Sequence, residues 1–252
     1  MSDADTPARK PKAMQGSDFR TTHWSLVLEA CRNADCDQHA ALEELCRHYW
    51  FPLYAFARKR GKNHVDAQDL VQGFFAHLLA RNDLRTVDPE KGRFRTFLLT
   101  AFTHFAANEW RHTQAIKRGG AMTLEPLDAD EELAERYQEA AAYESSAETV
   151  FDRTWAEQAL GTVIRRLRTE FADAGEVDRF EALRDSLLGE SESVPYTELA
   201  ARLGVSVAGV KSAVHRLRRR FRELFREEIG RTVARREDID TELRYLVDVM
   251  TR

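Results

Sequence analysis

The chain has 252 residues, of which 43% are hydrophobic and 32% charged, and a formal net charge of −4. That composition is neither that of a disordered protein nor that of a membrane one, and no apolar run approaches the roughly 18 residues of a membrane span. The polar start from Met1 to Asp18 carries Pro7 and Pro11 and has no apolar stretch of the secretory kind, so a cytoplasmic protein with no membrane contact is expected. Only 12 glycines and 6 prolines interrupt the chain, which favours helix, and the length suits two domains. The three cysteines, Cys31, Cys36 and Cys46, are odd in number and unevenly spaced, which is no disulfide framework. His39 and His48 lie nearby, but without a Cys-x-x-Cys pair the cysteines read as reduced thiols and no metal is expected.

In chain order, residues 1–18 read as a disordered tail. Thr22 can cap a helix carrying Trp24, Leu26, Val27 and Leu28. A second helix runs from about Ala40 to Arg60 with Leu42, Leu45, Tyr49, Leu53 and Phe56 at helical spacing, and Pro52 is expected to kink or split it. Asn63 or Asp66 can cap the next, on which Leu70, Val71, Phe74, Phe75, Leu78 and Leu79 follow the spacing of one buried face. A loop is expected from about Arg81 to Gly92. Phe94, Phe97, Leu98, Ala101, Phe102 and Phe105 then mark a helix ending near Arg118. Residues 121–150 read as an acidic linker with room for some helix near Glu131 to Ala142. A second helical domain follows over 151–236, in which two short helices and a long basic one come after a loop at Gly189 to Pro195. An amphipathic tail helix over 237–252 carries Ile239, Leu243, Leu246, Val247 and Met250, and must bury that stripe against the basic domain or a regulator. The fold class is therefore all-α: two helical domains, 19–120 and 151–236, joined by the linker, with extra terminal helices.

Charge is unevenly placed. From Thr123 to Asp152 ten acids face one base, Arg136, a net of −9; from Val205 to Arg236 ten bases face three acids, a net of +7; from Lys91 to Gly120 six bases face one acid, a net of +5. Two basic segments flanking an acidic one suit a nucleic-acid partner better than the total charge suggests. The acidic segment could also cover either basic face, which would make compaction of the free protein sensitive to salt.

The sharpest local motif runs from Tyr196 to His215. Gly204 sits where a turn needs positive φ, Ser206 can cap the helix that follows, and Ala200 and Val210 fit where two helices cross. This is the pattern of a DNA-binding helix-turn-helix. Val210, Val214, Leu217 and Phe221 form its apolar stripe. Lys211, Ser212, His215, Arg216 and Arg219 lie outside it, with the donors that suit base edges and phosphates in a major groove.

Two further blocks carry a resemblance. The run from Asp66 to Leu79, Asp-Ala-Gln-Asp-Leu-Val-Gln-Gly-Phe-Phe-Ala-His-Leu-Leu, resembles the Asp-Ala-Glu-Asp-Leu-Val-Gln-x-x-Phe helix of sigma-70 family RNA polymerase sigma factors of the extracytoplasmic-function (ECF) type. The run Phe94-Arg-Thr-Phe-Leu is similar to that family's Phe-Arg-x-Trp-Leu segment. The resemblance covers about residues 40–225. It implies a sigma factor, with core RNA polymerase and promoter DNA as partners, a separate regulator of unknown type, no catalysis and no cofactor. On it, Asp66, Asp69 and Gln72 contact core polymerase, with Gln68 in place of the family's Glu. Arg93, Arg95, His104, Asn108, Arg111, Lys117 and Arg118 face the −10 element, and Lys211, Ser212, His215, Arg216 and Arg219 read the −35 element. Phe97, His104 and Asn108 depart from the family's usual Trp, Asn and Asp, so the −10 preference is the chain's own. The loop from Arg81 to Gly92 is the expected place for a pocket holding a flipped base. The acidic segment is implied to thread toward the polymerase active site or to serve as a solvated tether.

The alternative reading is a free-standing two-domain helix-turn-helix regulator that binds DNA without polymerase. An enzyme is disfavoured, because the chain has no phosphate loop, His-Glu-x-x-His, Gly-x-Ser-x-Gly or dinucleotide-binding glycine pattern.

Overall fold

The computed structural model describes residues 37–81, 93–117, 131–142, 146–187, 194–233 and 235–251, and among them every regular element is helical. The expected N-terminal helix, the loop after Arg81, Arg118 and the flanks of the acidic segment lie outside the described residues. The helices are α1 (Asp37–Lys59), α2 (His64–Arg81), α3 (Phe94–Lys117), α4 (Glu131–Ala141), α5 (Ala147–Asp173), α6 (Val177–Leu183), α7 (Tyr196–Leu203), α8 (Val207–Gly230) and α9 (Ile239–Thr251).

Of the kink or split expected at Pro52, the split does not occur: helix α1 is continuous through it. Every residue from Phe51 to Ala57 is buried there, so packing on all sides offsets the one hydrogen bond that proline removes. Asn63 then caps α2, its Oδ1 accepting the Asp66 backbone N–H at 2.7 Å. The buried stripe Val71, Phe74, Phe75 and Leu78 meets α1 and α3 through aromatic edges: Phe102 lies 5.2 Å from Phe74 and 6.1 Å from Phe56, centroid to centroid. A Cβ at Gly73 would lie 3.4 Å from the Phe105 ring of α3, in contact with it.

Helix α5 is the spine. At 27 residues it is roughly 40 Å long, and it packs against α1, α4, α6, α8 and α9. Ser146 caps it through a hydrogen bond from the Thr149 N–H at 3.0 Å. Tyr49 of α1 and Trp155 of α5 are both buried and stacked, so the two halves of the chain share one core across the acidic segment rather than standing apart on a tether. The described part of that segment is ordered as α4, which lies against α1 and α5 through Leu133 and Ala140.

Helices α7 and α8 form the predicted turn. Gly204 has φ +63° and ψ +31°, and Ser206 accepts the Gly209 N–H at 3.1 Å. In place of two short helices and a long basic one, a single helix follows α7: the segment from Val207 to His215 and the basic segment after it are one unbroken α8, with no proline and no positive-φ glycine between Val207 and Gly230. Helix α9 buries Ile239, Leu246 and Val249 against α5 and α8, with Leu243 and Met250 half-buried. Val247, expected in that stripe, is 49% exposed, and the buried position between Ile239 and Leu246 is Glu242.

Candidate nucleic-acid interface

Three surfaces emerge. On α2, Asp66, Asp69 and Gln72 are all exposed, on the side opposite the buried Val71, Phe74 and Leu78. The acidic face is thus held on a helix whose inner side is fixed by aromatic packing.

On α3, His104, Asn108 and Arg111 are exposed and, at spacings of four and three, follow one row of the helix. Trp110 is 58% exposed beside them, a large apolar ring left in solvent. In sequence the ring is hidden among the phenylalanines, whose periodicity marks the core. A tryptophan at Arg111's shoulder, outside the 94, 98, 102 stripe, was the available signal. An exposed aromatic among polar and basic groups can stack on an unpaired base. Lys117 is the last residue of α3.

The two arginines at the start of α3 are placed differently. Arg93 is about one-third exposed, and its Nε lies 2.7 Å from Glu242 Oε2. Arg95, expected on an open DNA face, is only 2% exposed. Its Nε pairs with Asp152 Oδ1 at 2.9 Å and its Nη1 with Glu242 Oε1. The guanidinium also lies 5.3 Å from the Trp155 ring centroid and 5.2 Å from that of Tyr245. Arg95 therefore faces the second half of the chain in this structure and not solvent. Tyr245 closes the cluster by donating its hydroxyl to Asp152 Oδ2 at 2.5 Å. Burial, then that bond to a carboxylate, pushes the Tyr245 phenol up to about 12. Burial likewise raises the Glu242 carboxyl above its ordinary value against the pull of Arg95 and Arg93.

A second buried polar link joins the halves: His48 Nδ1 of α1 lies 3.9 Å from Glu228 Oε1 of α8, both side chains 3% exposed. The start of α3 is tied to the end of α8 by the Phe94 N–H, which donates to the Thr232 carbonyl at 3.2 Å.

On α8, Lys211, Ser212, His215, Arg216 and Arg219 are all exposed, and Val210, Ala213, Val214 and Leu217 are buried behind them. Arg220 and Arg218, in the same basic run, are committed internally. Arg220 forks onto Glu170 of α5 at 2.9 and 2.7 Å, and Arg218 Nε donates to the Ser186 carbonyl at 2.7 Å. Helix α8 thus divides its cations between a structural side and an open side.

Comparison with known families adds the deciding observation. Residues 45–116 match sigma-70 region 2. The match spans α1 from Leu45, all of α2, and α3 up to its penultimate residue. It therefore coincides with the three helices that carry the acidic face of α2 and the polar, aromatic face of α3. A sigma-70 region 2 domain supports a role in RNA polymerase binding and promoter recognition. No curated protein and no solved structure matches the chain. Among the described residues no helix is long and apolar enough to cross a membrane.

Proposed function

We propose that the chain is a sigma factor of the ECF type. It binds core RNA polymerase through the outer face of α2, engages the −10 element with α3, and reads the −35 element with α8 of the helix-turn-helix. The observation that carries this is the region 2 match over α1–α3, whose outer faces are exposed where a partner and DNA would meet them. The turn at Gly204 and the open cations of α8 supply the second reader that promoter recognition needs.

In this reading the protein is a specificity subunit. Asp66, Asp69 and Gln72 present carboxylates and an amide to basic and polar groups of polymerase. His104, Asn108 and Arg111, with Trp110 beside them, offer edges, charge and a stacking surface to an opened strand. Lys211, Ser212, His215, Arg216 and Arg219 enter the major groove, where Arg and Lys suit guanine edges and phosphates.

The test is Asp66→Lys combined with Asp69→Lys in a binding assay with purified bacterial core polymerase. Both positions are exposed, so the fold should hold, with melting lowered only slightly by the charge reversal in the first turn of α2, while affinity falls on the order of tenfold or more, as expected when like charge replaces complementary charge. Unchanged affinity would overturn the assignment of α2 as the polymerase-binding helix.

A further inference from the structure

The cluster at the start of α3 is an unusual way to hold two halves of a protein together. Glu242 lies on the apolar stripe of α9, three residues after Ile239 and four before Leu246, where a leucine would bury without losing hydration. It faces Arg93 and Arg95, and Asp152 of α5 takes the remaining Nε of Arg95. Buried ion pairs add little stability over apolar packing of the same size, because both charges give up water. Their use points to a contact made to be exchanged. Carboxylates also present two oxygens to a guanidinium fork much as a phosphate does. The two arginines belong to the +5 segment, in a helix whose following turns, at His104, Asn108 and Arg111, remain open.

We propose that Glu242 and Asp152 occupy on Arg93 and Arg95 the places of nucleic-acid phosphates, so that α9 is a releasable cover over the first turn of the promoter-facing helix. The proposal deepens the sigma-factor reading and rests on it for the identity of the DNA. The cover is specific to that turn, since the reading face of α8 and the acidic face of α2 both stay exposed in the covered state. The free chain therefore binds DNA without the full charge of Arg93 and Arg95. Displacing α9 takes Glu242 from both guanidinium groups and opens Arg93 to the −10 side, while Asp152 of α5 stays on Arg95 until a phosphate exchanges with it. Tyr245 is the latch: its ring lies 5.6 Å from Arg93 and 5.2 Å from Arg95, and its hydroxyl fixes Asp152.

The experiment uses the full chain, a labelled DNA duplex of arbitrary sequence, and amide hydrogen exchange read over α9. Glu242→Gln is expected to speed exchange across α9 by on the order of tenfold while α1 and α2 stay protected. The same change is expected to steepen the fall of log K with log salt by about 0.9 for each arginine uncovered. Faster exchange in α9 with an unchanged salt slope would overturn the phosphate-mimic role. Unchanged exchange would overturn Glu242 as the fastener. Tyr245→Phe removes only a hydroxyl from a part-exposed ring and keeps the test open if Glu242→Gln does not fold; it should shift both readouts the same way by less, and no shift in either would overturn the latch. Failure of the sigma-factor reading would show separately, as a wild-type chain that does not bind core polymerase.

Discussion

Tyr49 of α1 and Trp155 of α5 stack with ring centroids 6.3 Å apart and an interplanar angle of 26°, and neither ring is more than 1% exposed. Tyr49 also meets Phe94 of α3 edge-on at 5.5 Å. One aromatic contact therefore joins the region 2 helices to the spine of the second half. Trp155→Ala should cost about 3–5 kcal/mol, the range for emptying a buried aromatic site. Because the core is shared, denaturant unfolding followed by helix content and by tryptophan fluorescence should show one coincident transition in the wild type. Two separated transitions would mean that the halves fold independently.

The turn between α7 and α8 rests on two residues. Gly204 has positive φ with nothing within 4 Å of an added Cβ, so Gly204→Ala should cost only backbone strain, about 1 kcal/mol. Ser206→Ala loses the bond from the Gly209 N–H and should also cost about 1 kcal/mol. Chemical denaturation measures both. A loss of several kcal/mol from either would show that the turn carries contacts beyond its backbone geometry.

On the proposed reading, substitutions at Lys211 and Arg216 tell two kinds of DNA contact apart. Arg216→Ala or Lys211→Ala should cost roughly 1–3 kcal/mol at a preferred −35 sequence if the side chain reads a base, with relaxed preference at one position. A uniform loss across sequences, with a shallower salt slope, would mark a phosphate contact. Arg220→Ala should act differently, lowering stability through Glu170, which its guanidinium fork holds below the ordinary carboxylate range.

Tyrosine titration reports the cover directly. The Tyr245 phenol is raised to about 12, so the folded state holds that proton more tightly than the unfolded chain does. Its contribution to stability is complete below the ordinary phenol value of 10.0 and is lost as pH rises through the folded value. Tyr49, fully buried, is held neutral further still above the ordinary range by the same cause. Spectrophotometric titration of the wild type against Tyr245→Phe should show one phenol fewer ionising near pH 12. A difference centred near 10 would mean that Tyr245 does not bond Asp152 in solution.

Much of this was legible in the sequence, for physical reasons that differ by element. The inner stripe of α2 and the Gly204–Ser206 turn announce themselves because one follows helical period and the other needs a particular backbone angle. Pro52 does not split α1 because local propensity yields to burial on every side. The start of α8 invites a break because its first turns and its basic run differ in composition, though no breaker separates them. Arg95 looks like an open cation in sequence because its two carboxylate partners lie far along the chain, at Asp152 and Glu242. Glu242 did leave a trace, an acid on an apolar stripe, but only the fold shows which arginines it meets. Trp110 left one too, as an aromatic outside the phenylalanine face.

The most direct test of the central claim is run-off transcription by purified bacterial core polymerase with and without the chain, on a library of genomic fragments. The account predicts stable association with core and new transcript starts that share a −10 and a −35 element. Tight binding to DNA alone, with no association with core and no new starts, would contradict it.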